Sequence, residues 1–386
     1  MVAAFLLGWR VGPLARVFHE RISHESLIAA LRDADPIARW TSLGGALRKL
    51  RPLTLPVALA AYEEDLPVLG ETELRMLGAA SAQVDPETGL DRLLAWSIPA
   101  KGETAAVELI QAWARREPHA ASRAVDAVTD RALRESLTRS LITGWARSGD
   151  PSVANHLAQM PFGKQRTLLS NALVGVYFQE RGPDGLMHWV ESLPDDADAF
   201  KQTVFEHACR LLANEDPRVA VHWAERHTGR LYARGATRAV AIGWARRDGS
   251  ASLEWLLRHS PGEERDEAVE AAFRRWSSSD AAAAQRWLET QDGNGGLDSA
   301  REVAATKLLP TSPELAMEWV DRIVGETRRW TVATQLVPRW LRTNPSAARA
   351  WLAGSDLPAD MRSGIARAAR KERRPEARAA LPSPAS

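Results

Sequence analysis

Three histidines fall in one column of this chain. His156, His188 and His222 each follow a proline by five residues, after Pro151, Pro183 and Pro217. Imidazole is the side chain best suited to ligate a metal, move a proton near neutrality or change charge with pH. A shared metal fails on distance. Equivalent helices of stacked pairs lie about 8–10 Å apart or more, so three such rings cannot converge on one ion. No cysteine or carboxylate stands at ligand spacing beside them. Two readings are left. One is a partner-facing ladder that meets an anionic surface or responds to pH. The other is ordinary surface variation, since the column continues as Glu254, Arg286, Glu318 and Ala350.

The remaining candidates are sparser. Cys209 is the only cysteine, so no disulfide forms within the chain. It shares a column with Ile142, Ala241, Phe273 and Val337, which predicts a buried, unreactive thiol. There is no H-E-x-x-H, no nucleophile elbow, no glycine-rich phosphate loop after a strand and no Cys/His zinc spacing. No catalytic residue, cofactor or metal is therefore assigned. The paired acids Glu63-Glu64-Asp65, Asp195-Asp196 and Glu263-Glu264 are expected at helix starts or loops, where they favour the positive end of a helix.

What must position these residues is a repeat. Trp244, Trp276 and Trp340 are 32 and then 64 residues apart, with Leu308 at the missing beat. Eleven residues after each comes Trp255, Trp287, Trp319 and Trp351. A constant period of this length marks stacked modules. Between the two columns lies a junction of a polar residue and proline. Glu117-Pro118, Asp150-Pro151, Asp216-Pro217, Ser312-Pro313 and Asn344-Pro345 show it, and Gly182-Pro183 varies it. Asp248-Gly249 and Asp280-Ala281 keep the cap and lose the proline. A capping side chain followed by proline is a helix start, because proline lacks an N–H that would have had no partner there.

Three residues past the proline the column is small: Ala121, Ala154, Ala220, Ser252, Ala284, Ala316 and Ala348, with Leu186 the exception. Six past it, Trp dominates. Positions three, six and seven share a helical face, which predicts a short second helix with one buried stripe. Before each junction, apolar residues recur three, four, seven and eight positions ahead of the terminal Trp, as Val337, Leu336, Ala333 and Val332 do ahead of Trp340. That is a longer first helix. The fold expected is all-α: about eight αα-hairpins of roughly 32 residues over 103–372, after an atypical helical cap over 1–102 and before a flexible tail over 373–386. The indoles are expected in the core rather than as ligand contacts. Arg134, Arg166, Arg234, Arg265 and Arg328 stand near the starts of first helices and are expected to pair with nearby acids.

The string Asp216-Pro217-Arg218-Val219-Ala220-Val221-His222-Trp223 resembles the junction between tetratricopeptide repeats, and Asn344 to Trp351 and Ser312 to Trp319 are similar to it. The resemblance covers about eight residues per unit. The Leu-Gly and Tyr of that family are missing after the Trp, and the period is two residues short. The chain also resembles bacterial proteins with tandem Trp-rich αα-repeats. Both resemblances imply a right-handed αα superhelix with a binding or scaffolding role, and neither carries over a catalytic residue.

Composition narrows the partners. With 50 basic and 49 acidic residues the formal charge is +1, which gives no general attraction to nucleic acid or anionic membrane. Met1 to Trp9 is apolar but far short of the roughly 20 residues that span a bilayer, and no basic residue precedes it. It is expected to dock as a helix on the first repeat; the alternative is the trailing half of a signal or anchor that starts upstream. A cytoplasmic, non-enzymatic scaffold that binds a protein or peptide is the first expectation. A helical enzyme with a pocket in the first hundred residues is the second, and a membrane-tethered or exported structural repeat protein is the third.

Overall fold

The computed structural model describes residues 23–195, 199–259, 262–291, 293–365 and 367. The apolar stretch from Met1 to Trp9, the tail over 373–386 and Asp196 lie outside them. Every regular element among the described residues is a helix. None of those helices is long and apolar enough to cross a membrane. The chain divides into two compact units, Met1–Glu180 and Arg181–Ser386.

Long and short helices alternate, and the junctions explain where each short one begins. Asp216, Asp248, Asp280 and Asn344 each accept a backbone N–H from the first turn of the following helix, at 2.9, 3.0, 2.9 and 3.2 Å. Proline opens the helices Pro118–Asp126, Pro217–Arg226, Pro313–Asp321 and Pro345–Gly354. Two junctions differ from the expectation: Glu117 and Ser312 make no side-chain cap bond, so proline's fixed φ alone starts those helices. At Gly182, φ of 68° breaks a continuous run of helix ahead of Pro183.

Within the first unit the long helix Pro99–Ala114 packs on Glu71–Val84 before it and Arg131–Ser148 after it. It runs across the expected boundary at 102. In the second unit Ala199–Glu215, Ala236–Ala245, Glu263–Ser279, Asp298–Leu308 and Glu326–Thr343 each pack on the next in sequence. The short helices between them touch the long helix on either side. Small side chains make the approach possible. The column three past the proline is buried throughout, from Ala121 to Ala348. A Cβ on Gly144 would lie 2.2 Å from the Gln111 carbonyl oxygen, and one on Gly243 would lie 2.3 Å from that of Arg210. Each glycine precedes a Trp and lets two long helices touch backbone to backbone.

The indoles are not uniformly core. Trp113, Trp145, Trp223, Trp319 and Trp340 are buried, whereas Trp244, Trp276, Trp287 and Trp351 keep part of their rings at the surface. Trp276 lies on Gly249, where a Cβ would come within 2.1 Å of the ring. The proline missing from that junction is thus a packing requirement.

The arginines add main-chain bonds to the expected acid pairs. Arg134 donates to the Val128 carbonyl at 2.6 Å and Arg166 to that of Met160 at 3.2 Å, while Arg329 donates to that of Ile323 at 2.6 Å and also pairs with Asp356. Each reaches six residues back into the loop that precedes its own helix. Arg265 does pair with Asp266, and Arg328 pairs with Glu302 and Asp266. Cations at the other end of the long helices reach the preceding long helix. Arg116 donates to the Ala82 carbonyl, Arg247 to that of Glu215, and Lys307 to that of Arg274 and to the Ser277 hydroxyl. Ala82 and Glu215 lie in the last turn of their helices, where a carbonyl has no partner inside the helix and a cation also suits the helix dipole.

Candidate binding groove

In the second unit, Asp216 and Pro217 set the register of the helix Pro217–Arg226. That register turns Ala220 and Trp223 inward and leaves Val221, His222 and Glu225 on the outer side. The following hairpin brings Trp244 and Trp255 together, with ring centroids 5.9 Å apart at 38°. Pro217, Val221 and the two indoles form the floor of a groove of about 510 Å³, rimmed by Arg218, His222, Glu225 and Arg258. A second cleft of about 390 Å³ shares Val221, Glu225 and Trp255 and is walled by the loop that carries Arg230 and Arg234. His259 closes against Trp255 edge-on at 4.7 Å.

A polar network holds that loop from behind. One oxygen of Glu191 accepts the Trp223 indole N–H at 2.8 Å and the Arg226 guanidinium at 3.4 Å, and contacts His227 Nε2 at 3.2 Å. The other ring nitrogen of His227 meets the Tyr232 hydroxyl at 2.8 Å. Lys201 is buried against the Tyr232 ring at 4.4 Å and donates to the Leu193 carbonyl at 2.6 Å and to Asp195 at 2.5 Å. Burial alone would raise the Glu191 pKa. The bonds from Trp223 and His227 and the charge of Arg226 outweigh it and hold the carboxyl below its ordinary range. The Lys201 bond lowers Asp195 in the same way.

A Glu–His–Tyr chain invites a catalytic reading, and the electrostatics oppose it. Burial, with the charges of Asp195 and Glu191, raises the Tyr232 pKa. An activated nucleophile needs the opposite shift. The chain instead pins both ends of a short loop, from His227 to Tyr232, against the helix pair beneath.

The three predicted histidines meet different surroundings. His222 lies on the rim of the groove and His188 is exposed on its own helix. His156, in the first unit, is half-buried against Trp145 at 5.0 Å, with His119 at the same distance from that indole. Burial lowers the His156 pKa, an effect the charge of Asp126 partly offsets. Among the described residues no three His, Cys, Asp or Glu side chains are grouped to hold a metal ion. Cys209 is fully buried, and burial pushes its thiol far above the usual range. Glu63 and Glu64 close a helix rather than open one, and Glu64 and Asp65 bind Arg32. Glu263 and Glu264 do lie in a first turn.

Two devices went unseen in the sequence. One is the Gly-Trp step at Gly144-Trp145 and Gly243-Trp244. The other is the acid two residues after a column Trp, which accepts the indole N–H of the next hairpin: Glu191 from Trp223, and Asp321 from Trp351 at 3.2 Å. Both were legible as spacings, without a sign of what they touched. The chain matches no protein-family model, no curated protein and no solved structure.

Proposed function

We propose that the hairpins of each unit stack as an αα-solenoid, in the right-handed sense that the tetratricopeptide resemblance implies, and that the chain is a non-enzymatic scaffold for protein or peptide segments. Hydrogen bonds between neighbouring hairpins support the stacking. Arg116 to Ala82, Trp223 to Glu191 and Arg247 to Glu215 join residues 34, 32 and 32 positions apart. Each module therefore completes the one before it, as in quasi-one-dimensional repeat folds.

One observation carries the binding role: two indoles in contact at the bottom of a groove whose rim is charged, Trp244 half-buried and Trp255, 8% exposed, nearly buried. Aromatic anchors within a polar rim are what peptide-binding surfaces use. His222 lies on that rim, where a partner-facing role would place it. Selection of a random peptide library on the full chain tests the proposal. A consensus should emerge, and Val221→Glu should weaken the selected peptides by about tenfold or more while the melting temperature barely moves. No consensus, or one indifferent to Val221→Glu, overturns it.

A further inference from the structure

The first unit carries a second groove of different chemistry, between the helices Pro36–Leu47 and Glu71–Val84. Its volume is about 560 Å³. Met76, Ala80 and Val84 recur at four-residue spacing on one face of the second helix and are all half-exposed. Leu47 and Leu50 complete an apolar floor, and Gly44, Ala79 and Ala80 keep it shallow and narrow. Small residues of this kind let a helix approach to the ordinary interaxial distance of about 8–10 Å. Met76 adds a side chain that adapts to irregular contacts.

The charge around this floor has one sign. Arg48 and Arg51 line the groove and no carboxylate does. Arg51 is held only by the Leu50 carbonyl, at 2.8 Å, and neither arginine forms an ion pair among the described residues. Both are exposed, and beside them Leu53 stands almost wholly in solvent at 92%. Guanidinium forks beside an apolar trough suit carboxylates presented above an apolar stripe. The floor has no aromatic ring on which a base could stack, which disfavours single-stranded nucleic acid.

We propose that this groove docks an acidic amphipathic helix of another protein. Its apolar face lies along Met76, Ala80 and Val84, and its carboxylates meet Arg48 and Arg51. The site is separate from the Trp244–Trp255 groove and does not depend on it.

The test uses the full chain and a fluorescein-labelled synthetic helix of about 18 residues. Leucine forms one stripe of the peptide and glutamate fills the rest; a second peptide carries lysine in place of glutamate. Anisotropy should show saturable binding of the Glu peptide that weakens with salt. Arg48→Glu with Arg51→Glu should weaken it by about tenfold or more and confer binding of the Lys peptide. That gain cannot come from misfolding. Ala80→Phe should block both peptides, and Val221→Glu should leave the Glu peptide unaffected. The proposal fails if the Glu peptide does not bind saturably, or binds equally well to the charge-reversed chain. It also fails if phosphatidylserine vesicles bind the chain through Arg48 and Arg51 while the peptide does not.

Discussion

At the scale of single residues, burial separates side chains that the repeat pattern makes look equivalent. Trp319 is 2% exposed, whereas Trp287, one module earlier in the same column, is half-buried. Trp319→Ala should cost about 3–5 kcal/mol, as truncation of a core aromatic does. Trp287→Ala should cost clearly less, and chemical denaturation of the two variants side by side checks the order. Titration is a second property fixed residue by residue. Burial, reinforced by the Arg210 charge, pushes His207 from its ordinary 6.5 down to about 4, and its Nδ1 has no hydrogen-bond partner. Below the ordinary value the unfolded chain takes up a proton that the folded chain refuses until about 4, so stability falls as pH drops through that window. Between about pH 7 and about pH 5, His207→Leu should spare ~2 kcal/mol of the loss seen in the wild type. Parallel urea melts at the two pH values decide it. Equal losses would show that this ring is readily protonated in the native state.

At the scale of helices, the contacts are set by what is missing from a side chain as much as by what is present. A Cβ at Gly243 would meet the Arg210 carbonyl oxygen at 2.3 Å and the Ala213 Cβ at 2.9 Å. Gly243→Ala should therefore destabilise by about 1–3 kcal/mol, although alanine is the better helix former. A thermal melt of that single variant is enough, and an unchanged or raised melting temperature would mean that the two helices separate freely. Helix type, the position of most helix starts and the buried small column were legible in the sequence, because caps, proline and apolar spacing act within one helix. The groove was not. It depends on how far Trp244 stands from Pro217 on another helix, and no local spacing encodes that distance. The main-chain bonds of the arginines are not legible either, for a related reason. Sequence shows which side chains carry charge, and the acceptors at Val128, Met160 and Ile323 are backbone atoms common to every residue.

At the scale of the whole molecule, the bonds that cross one period make a prediction about modularity. Residues 248–279 span one period and contain a short helix and the long helix after it. Their deletion joins Arg247 to Asp280, so a capping Asp again follows a long helix. If stability is a sum of module and neighbour terms, the shortened chain should stay soluble, keep its mean helicity and unfold at a somewhat lower temperature. Circular dichroism reads both quantities. Collapse of the helical signal would show that those residues are part of a single indivisible core.

The cations that clasp a neighbouring main chain have one more consequence. Arg116 and Arg247 hold oxygens that any amino acid would offer in the same place, so the obligation runs in one direction only. Substitution of Ala82 or Glu215 leaves the acceptor intact, whereas loss of the guanidinium removes the bond. A saturation library scored for folded protein should tolerate more changes at the exposed Glu215 than at Arg247, whereas buried Ala82 is constrained by its packing and not by the bond.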